Sequence, residues 1–212
     1  MRILITAGPT REALDPVRYL SNRSSGKMGY ALAEAAVEAG HEVVLVSGPV
    51  SLPRPAGAEV IAVESARQMF EAVRDRLAEC DAAIFAAAVA DYRPVSVSEQ
   101  KIKKTGERLV LELERTEDIL GSARSVFGFR GVLAGFAAES EKLVEHAREK
   151  LERKGCDVII ANDITQPGIG FDSAENAVTL CLPGGRTKSL PRQPKTQLAR
   201  ALLAEILTLK TS

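Results

Sequence analysis

Residues 21–29 read Ser-Asn-Arg-Ser-Ser-Gly-Lys-Met-Gly and connect a predicted first strand, Arg2–Ala7, to a predicted helix, Tyr30–Ala39. Gly26 and Gly29 allow the backbone of this stretch to approach a ligand closely. Free N–H groups at a helix start attract phosphate or carboxylate, and the serine, asparagine and lysine side chains add donors and positive charge. The stretch therefore predicts a strand, an anion-binding loop and a helix. A helix start with capping serines and packing glycines has the same composition, so a purely structural role stays open.

Two well-known nucleotide-binding motifs do not fit this stretch. A Walker A loop places Ser or Thr directly after its Gly-Lys pair to hold magnesium, whereas Met28 follows Lys27 here. A dinucleotide fingerprint needs three closely spaced glycines and an acidic ribose-binding residue after the second strand. The second predicted strand, His41–Val46, runs instead into Ser47-Gly48-Pro49-Val50. A standard NAD site is therefore disfavoured.

The composition describes a neutral chain with enough apolar residues for one α/β domain over residues 1–212. Apolar residues make up 45% of the chain, and 28 basic residues balance 28 acidic ones. Zero net charge gives no support to nucleic-acid binding through bulk charge, so an anionic ligand requires a local cluster. No apolar run is long enough to span a bilayer, and the N-terminus lacks the apolar region of a signal peptide. Three widely spaced cysteines fit a reducing compartment, which predicts a cytoplasmic protein.

Apolar runs alternate with helical patterns along the chain, which predicts βαβ units around a mostly parallel sheet. Asp81–Ala88 is almost wholly apolar, and this pattern is typical of a strand buried on both faces. Leu109–Leu113 is predicted to be a strand that pairs with the lysine-rich segment Ser96–Gly106 in a small antiparallel flap. A second hairpin is predicted around Pro183–Gly185. The predicted fold is a three-layer, Rossmann-like α/β sheet with helices on both faces.

Small and polar residues follow several predicted strands, at the edge where parallel α/β sheets bind ligands. Residues 86–90 are Ala-Ala-Ala-Val-Ala, and such small side chains let a flat ligand lie against the backbone. Asp91 can accept hydrogen bonds from a base or a ribose, can lie near a metal, or can serve as a turn or cap residue. Phe136 either flanks a base or packs in the core. Lys101 belongs to a polar segment that is also compatible with an ordinary solvated surface.

Eight motifs follow one another along nearly the whole chain: ITAGPTRE, SNRSSGKMGYALA, VSGPVSLP, AAAVADYRP, QKIKK, GFAAE, ANDI and GFDSAENAV. In this order they resemble the phosphopantothenoylcysteine synthetases, the ligase half of bacterial coenzyme A bifunctional proteins. The resemblance implies that 4′-phosphopantothenate, L-cysteine and CTP give phosphopantothenoylcysteine, CMP and pyrophosphate through an acyl-cytidylate. It also implies magnesium (Mg2+), a homodimer, and a flavin-dependent decarboxylase as a fused or separate partner.

The resemblance also implies roles for individual residues. Asn22 holds the activated carbonyl of the acyl-cytidylate, and Lys101, on a flap that reaches across the dimer interface, contacts nucleotide and intermediate. The other positions that match nucleotide contacts of the family are Phe85, Ala86, Ala87, Asp91, Glu117, Asp118, Ile119, Leu120, Phe136, Lys150 and Lys154. The candidate loop for substrate or phosphate comprises Gly8, Ser24, Ser25 and Gly26. The sequence does not identify the residues that would bind the metal.

Two of the matched positions depart from the usual residues of the family. The family often has Pro at the position of Glu117 and small residues at the position of Phe85. Both positions are expected to contact the nucleotide through the backbone, so the departures carry little weight.

Lys150 and Lys154 receive two conflicting placements. They lie near the end of a helix predicted to run from Ser140 to Lys154. In a regular parallel sheet, a helix that follows a strand begins at the ligand edge and ends at the far edge. Topology therefore places both lysines away from Asn22, whereas the resemblance places them at the nucleotide.

Two other functions remain as alternatives. An NAD(P)-dependent Rossmann reductase is disfavoured because the acidic ribose reader and a Tyr-x-x-x-Lys pair are missing. A non-catalytic nucleotide-binding dimerisation module would bind CTP but release no pyrophosphate. Side-chain identity does not distinguish CTP from ATP, because backbone groups at the strand ends would contact the base.

Overall fold

The computed structural model describes residues 1–104, 106–139, 141–163 and 173–209. In chain order, the strands are β1 (Arg2–Ala7), β2 (Arg11–Ala13), β3 (Tyr19–Ser21), β4 (Glu42–Ser47), β5 (Ala58–Ala62), β6 (Ala82–Phe85), β7 (Tyr92–Pro94), β8 (Leu113–Arg115), β9 (Val132–Glu139), β10 (Val158–Asp163), β11 (Glu175–Cys181) and β12 (Thr187–Pro194). The α-helices are α1 (Lys27–Glu38), α2 (Ala66–Leu77), α3 (Ile119–Ser125), α4 (Leu143–Lys154) and α5 (Lys195–Thr208). Within these ranges, no helix has both the length and the apolarity that crossing a bilayer requires.

Eight of the described strands form one central sheet in the order β12-β11-β10-β9-β6-β1-β4-β5. Six neighbouring strands of this sheet are parallel, namely β10, β9, β6, β1, β4 and β5. Strands β11 and β12 extend the sheet beside β10 as an antiparallel hairpin. The chain proceeds from β1 to β4 and β5 on one side, and then returns to the other side of β1 with β6. Open α/β sheets bind ligands at such a reversal, outside the carboxyl ends of the strands. The predicted Rossmann-like fold and the terminal hairpin are confirmed.

The sheet is the middle of three layers, as predicted. Helices α1 and α5 cover one face, and α2, α3 and α4 cover the other. Successive residues of a strand point to opposite faces. In β1, Ile3 belongs to the same buried cluster as Leu32 of α1 and Leu198 of α5, whereas Leu4 belongs to the cluster of Met69 in α2. All five side chains are fully buried, so the sheet is covered on both faces.

The helix after the Gly/Ser loop begins at Lys27, three residues before the predicted start at Tyr30. Gly26 has φ 77° and ψ −7°, a left-handed conformation that favours glycine. A Cβ atom on Gly29 would lie 2.5 Å from the Cβ of Ala7. The first glycine therefore permits the turn into α1, and the second permits close packing of α1 on β1.

The strand predicted over Asp81–Ala88 corresponds to β6 and is shorter than predicted. Strand β6 ends at Phe85 rather than at Ala88. Beyond that point the backbone bonds to the loop after β1 instead of continuing in the sheet. The N–H of Ala88 donates to the carbonyl of Gly8 at 2.9 Å, and the carbonyl of Ala88 accepts from the N–H of Thr10 at 3.3 Å. The chain is thereby turned across the carboxyl edge of the sheet.

The antiparallel flap pairs different segments from those predicted. Strand β8 pairs with β7, and residues 101–104 belong to no strand. The lysine-rich segment is held by a side chain instead, because the N–H of Ile102 donates to Oδ2 of Asp15 at 3.1 Å. Nη2 of Arg18 also donates to the carbonyl of Ile102 at 2.9 Å. These bonds anchor the segment to the loop between β2 and β3.

Helix α4 begins later than predicted. Its first residue is Leu143, and Lys142 precedes it with φ 48°. The predicted cap, Ser140, lies outside the described residues.

Asp15 gives the anchor of the lysine-rich segment a pH dependence. Its side chain is fully buried, and hydrogen bonding to Arg18 holds its pKa well below the usual range against the effect of burial. A lowered folded-state pKa adds stability above the unfolded pKa of ~3.9, and this stability is lost as the pH falls below that value. We expect Asp15→Asn to lower the melting temperature at pH 7 and to flatten its decline between pH 5 and pH 3.

Asp75 provides the matched control for this experiment. It is an exposed carboxylate that pairs with Arg74 on α2. We expect Asp75→Asn to change the melting temperature little, because exposed ion pairs contribute little to stability. Similar melting curves for the two variants over this pH range would contradict the role given to Asp15.

Candidate active site

A cavity of about 1010 Å³ opens at the carboxyl edge of the sheet, where the strand order reverses. It is large enough for a nucleotide and a second small molecule. Its lining comes from the ends of β1, β6, β9 and β10, from the starts of α1, α3 and α5, and from the end of α4. The predicted site residues that line it are Asn22, Ser24, Gly26, Phe85, Ala86, Ala87, Asp91, Glu117, Asp118, Ile119, Leu120, Phe136, Lys150 and Lys154.

Asn22 lies where the Gly/Ser loop meets the segment after β6. Its Nδ2 donates to the carbonyls of Ala88 and Val89, at 3.1 Å in both cases. The amide therefore links the two loops that form one wall of the cavity. It is exposed on the cavity side, where a ligand can reach it.

Three threonine side chains hold the segment of residues 86–90. Oγ1 of Thr6 accepts from the N–H of Ala87 at 3.2 Å, and Oγ1 of Thr10 accepts from the N–H of Ala90 at 2.9 Å. Oγ1 of Thr116 donates to the carbonyl of Ala90 at 2.5 Å. Because these bonds fix the backbone of a segment without large side chains, its remaining N–H and C=O groups can contact a flat ligand at defined positions.

Lys150 and Lys154 both line the cavity, so the placement expected from simple topology is wrong. Nζ of Lys150 donates to the carbonyl of Phe136 at 2.8 Å, and Nζ of Lys154 bonds to Oδ2 of Asp118. Side chains of a helix point toward its N-terminus, which for α4 is the ligand edge of the sheet. The long lysine stems therefore carry both ammonium groups back to the cavity from the last turns of the helix.

The cavity is strongly basic although the whole chain is neutral. Seven basic and three acidic side chains line it. Two of the acids are neutralised by pairing, because Glu117 binds Nη1 of Arg93 at 2.9 Å and Asp118 binds Lys154. Burial would raise the pKa of both carboxyls, but their hydrogen bonds outweigh it and hold each pKa below its usual value. The charge excess is the local cluster that an anionic ligand requires.

Three predicted site residues do not line this cavity. Gly8 is absent from the lining, and a Cβ atom on it would approach Cγ1 of Val50 to 2.9 Å. Ser25 and Lys101 are also absent from the lining, and the Lys101 side chain is exposed. Their assigned roles stay predictions.

No cysteine is placed to act as a nucleophile. All three thiols are buried and free of disulfides. Burial raises the pKa of Cys80 to about 11 and that of Cys156 to about 12. Burial likewise raises the pKa of Cys181. Since the thiolate is the reactive form, the cysteines are inert core residues.

Two buried residues of the lining were not among the predicted site residues. Asn176 is 3% exposed and Lys195 is 6% exposed, and both line the cavity together with Asn162 and Lys27. One signal for Lys195 was available, because it occupies the first position of a helix, where an acidic residue would be favoured.

The described residues contain no group of three or more His, Cys, Asp or Glu side chains that could hold a metal ion.

Comparison with known proteins agrees with the fold and extends over the whole chain. The sequence model of the DNA/pantothenate metabolism flavoprotein C-terminal domain matches residues 1–209. The coenzyme A biosynthesis bifunctional protein CoaBC of Vibrio vulnificus is 49% identical over 209 residues, which are 98% of this chain and 52% of that protein. The chain thus spans about half the length of the curated relatives that it matches.

Two solved structures show the same architecture. The crystal structure of the C-terminal domain of CoaBC superimposes with a TM-score of 0.84 at 43% identity, and the match covers 100% of this chain and 96% of that one. The DNA/pantothenate metabolism flavoprotein from Streptococcus pneumoniae gives a TM-score of 0.84 at 27% identity, with coverage of 98% and 99%. The chain belongs to the family of the DNA/pantothenate metabolism flavoprotein C-terminal domain.

Proposed function

We propose that this chain is a phosphopantothenate–cysteine ligase that uses CTP and acts in coenzyme A biosynthesis. The observation that carries the proposal is that most predicted site residues meet in one basic cavity. The relatives named as coenzyme A biosynthesis proteins support the same pathway. A flavin-dependent decarboxylase, fused or separate, is the partner that would supply the other activity of a bifunctional relative.

The proposed reaction has two displacement steps. The carboxylate of 4′-phosphopantothenate attacks the α-phosphorus of CTP, and pyrophosphate leaves with the electron pair of the broken P–O bond. The amine of L-cysteine then attacks the acyl carbon of the acyl-cytidylate, CMP leaves, and the amine loses a proton to solvent. Neither step needs a covalent bond to the protein, which fits the inert cysteines.

Catalysis of these steps depends on positioning and on neutralisation of charge. The fixed backbone of residues 86–90 is the proposed contact for the base, and Lys150 and Lys154 supply positive charge beside it. Asn22 contacts the acyl carbonyl through an N–H that turns from one of the two loop carbonyls. The Gly/Ser loop at the start of α1 binds a phosphoryl group. Magnesium bound to the triphosphate would supply further charge neutralisation.

The test is pyrophosphate release by the purified chain with its three substrates and magnesium. We expect release with CTP and 4′-phosphopantothenate, product formation only when L-cysteine is added, and much less release with ATP. CTP binding without any pyrophosphate release would favour the non-catalytic nucleotide-binding module. Binding of NADPH with no response to CTP would favour the reductase.

We further infer a homodimer that forms through the flap. Apolar side chains are exposed along two adjacent segments, namely Val95 and Val97 after β7, and Leu109, Val110 and Leu111 before β8, with Val110 89% exposed. Clustered apolar exposure of this kind marks an interaction surface. A second copy of the chain is the partner that would also bring Lys101 to a neighbouring cavity.

Val110→Asp should therefore shift the protein from dimer to monomer. A carboxylate at the centre of an apolar interface loses hydration without gaining a partner. Light scattering at micromolar concentration measures the mass directly. Val126 lies elsewhere, at the end of α3, and is 68% exposed, so Val126→Asp serves as the control and should leave the mass unchanged. A monomeric unsubstituted protein, or equal effects of the two substitutions, would argue against this interface.

A further inference from the structure

Asn162, next to the last residue of β10, is one of the buried residues in the wall of the main cavity. It is 8% exposed. Its backbone lies in the central sheet, opposite Ala138 of β9 on one side and Val178 of β11 on the other. Strand pairing on both sides therefore fixes the place of this residue in the cavity wall.

The amide oxygen of Asn162 needs a hydrogen-bond donor. Oδ1 is buried and has no partner within the part of the chain that the structure describes. Buried polar atoms are almost always hydrogen-bonded, and an unpaired one costs stability. In the wall of an open cavity, such an atom indicates that a ligand completes it. Because a carbonyl oxygen accepts hydrogen bonds, the ligand group must be an N–H or an O–H.

Asn176, on the adjacent strand β11, shows the contrasting case. It lines the same cavity and is 3% exposed. Its Oδ1, however, accepts from the N–H of Ala177 at 3.0 Å. Of these two buried asparagines, the one on β11 has its oxygen satisfied by a local N–H, and the one on β10 has an acceptor for a ligand.

Asn162 points to the face of the sheet that α1 and α5 cover. Successive residues of a strand point to opposite faces. Ile160 belongs to the buried cluster of α1 and α5, so Asn162, two residues later, points to the same face. The proposed nucleotide contacts Asp118 and Lys154 come from the start of α3 and the end of α4, which cover the other face. The group that Asn162 contacts therefore belongs to a substrate other than CTP.

The order of the strands separates Asn162 from the reacting carbon. Asn22, the proposed contact of the acyl carbonyl, bonds to residues that follow β6. Strand β9 lies between β6 and β10, so the ends of β6 and β10 are two strand spacings, about 10 Å, apart. A single amino acid such as L-cysteine spans less than about 4 Å of extended chain and does not reach that far from the acyl carbon. The longer chain of 4′-phosphopantothenate can, and it carries a hydroxyl and an amide N–H between its carboxylate and its phosphate.

We propose that Asn162 is a substrate-binding residue whose Oδ1 accepts a hydrogen bond from the middle of the 4′-phosphopantothenate chain. The inference rests on the proposed function and names the donor by its class, a neutral hydroxyl or amide N–H. The contact positions the chain so that its carboxylate lies at Asn22. It also selects against acids that lack a donor at this place, since they leave the buried oxygen unpaired.

The experiment measures equilibrium binding by calorimetry for the unsubstituted protein, Asn162→Leu and Thr179→Val. Leucine keeps the branched shape of asparagine without its polar atoms. The ligands are 4′-phosphopantothenate, an analogue with hydrogen in place of the hydroxyl, an analogue with an ester oxygen in place of the amide N–H, and CTP. Thr179→Val is the control, because Thr179 pairs with Ala161 in the same two strands but is absent from the lining of the cavity.

We expect Asn162→Leu to weaken 4′-phosphopantothenate by about tenfold and to leave CTP within about twofold. One analogue should bind the unsubstituted protein about tenfold more weakly than 4′-phosphopantothenate does, and the two ligands should bind Asn162→Leu within about threefold of each other. The deoxy analogue in this role identifies the hydroxyl as the donor, and the ester analogue identifies the amide. Thr179→Val should change nothing. Unchanged affinity for 4′-phosphopantothenate in Asn162→Leu, or the same preference over both analogues in the two proteins, would overturn the contact.

The melting temperature of the ligand-free protein separates a ligand contact from a structural role. An unpaired buried oxygen adds no stability, so Asn162→Leu should melt no lower than the unsubstituted protein. A lower melting temperature with equal losses for all four ligands would show that Asn162 is structural. If Asn162→Leu does not fold, the unsubstituted protein decides the question: a tenfold weaker analogue supports the contact, and equal affinities for 4′-phosphopantothenate and both analogues overturn it.

These binding results do not depend on turnover. A protein that shows the expected coupling but releases no pyrophosphate with CTP would refute the ligase function and leave the Asn162 contact standing. Pyrophosphate release without the coupling would refute the contact and leave the ligase function standing. A protein that does not bind 4′-phosphopantothenate at all would refute both.

Discussion

Asn22→Asp is expected to reduce pyrophosphate release at saturating substrates by a hundredfold or more. The Asn22 amide now donates to the carbonyls of Ala88 and Val89. A carboxylate in its place donates nothing, repels both carbonyl oxygens and repels the phosphates of the nucleotide. Loss of one preorganised donor at a developing negative charge costs ~3 kcal/mol in the transition state, which corresponds to a rate loss of this size.

Affinity for CTP should fall much less than the rate. The segment after β6 keeps its bonds to Thr6, Thr10 and Thr116, so the proposed contacts to the base remain in place. The matched control is Ser21→Ala, which removes a hydrogen bond from the neighbouring hydroxyl to the carbonyl of Thr10. We expect that control to retain most of its activity. An Asn22→Asp rate within about threefold of the unsubstituted rate would remove Asn22 from the mechanism, because threefold is under ~1 kcal/mol.

The first βα unit could be predicted from the sequence because its signals are local. An apolar strand, two glycines and a run of small residues specify β1, the loop and α1 whatever the rest of the chain does. The predicted start of α1 was three residues too late. The left-handed conformation of Gly26 marks the true start of the helix, but Gly26 packs against Val50 and Gly8, and these contacts are not visible in the local sequence.

Lys150 and Lys154 show why part of the site could not be predicted from topology. Element order fixes where a helix begins and ends, but a lysine side chain is as long as four residues of helix rise. The direction of the side chain therefore decides the placement, and the carbonyl of Phe136 and the carboxylate of Asp118 complete it. These contacts join residues far apart in the sequence, so no local pattern reports them.

The lysine-rich segment was mispredicted for a similar reason. It was predicted to pair with the strand Leu109–Leu113, whereas a buried carboxylate, Asp15, holds it at Ile102, 87 positions further along the chain. Lys195 was missed because its helix has an apolar face, and a single lysine at the start of such a helix normally lies in solvent. Its burial depends on how α1 and α5 pack together, which only the folded chain reveals.

Lys101→Gln is expected to damage turnover far more than Lys104→Gln. Both side chains are exposed, and neither lines the cavity of its own chain. The segment that carries Lys101 is anchored through Ile102 next to the apolar surface proposed for dimerisation. In the proposed homodimer, Lys101 would enter the cavity of the partner subunit, neutralise developing charge and exclude water from the acyl-cytidylate. Folding stability should change by less than ~0.5 kcal/mol in both variants, because exposed lysines contribute little to it.

Steady-state rates and ligand-free melting temperatures of the two variants provide the first test. Equal and mild losses of rate would show that the segment is an ordinary solvated surface or a weak electrostatic guide for CTP. A large loss that comes with unfolding would show that Lys101 is structural. Either result removes the flap from the mechanism.

Mixing two inactive variants tests whether Lys101 acts across the interface. In a heterodimer of Lys101→Gln and Asn22→Asp chains, one cavity combines an intact Asn22 from the first chain with an intact Lys101 from the second. The other cavity carries both substitutions. If subunits exchange freely, half of the dimers are mixed and each has one working site, so activity should recover to about a quarter of the unsubstituted value. If Lys101 served the cavity of its own chain, every site in the mixture would carry one substitution and no activity would return.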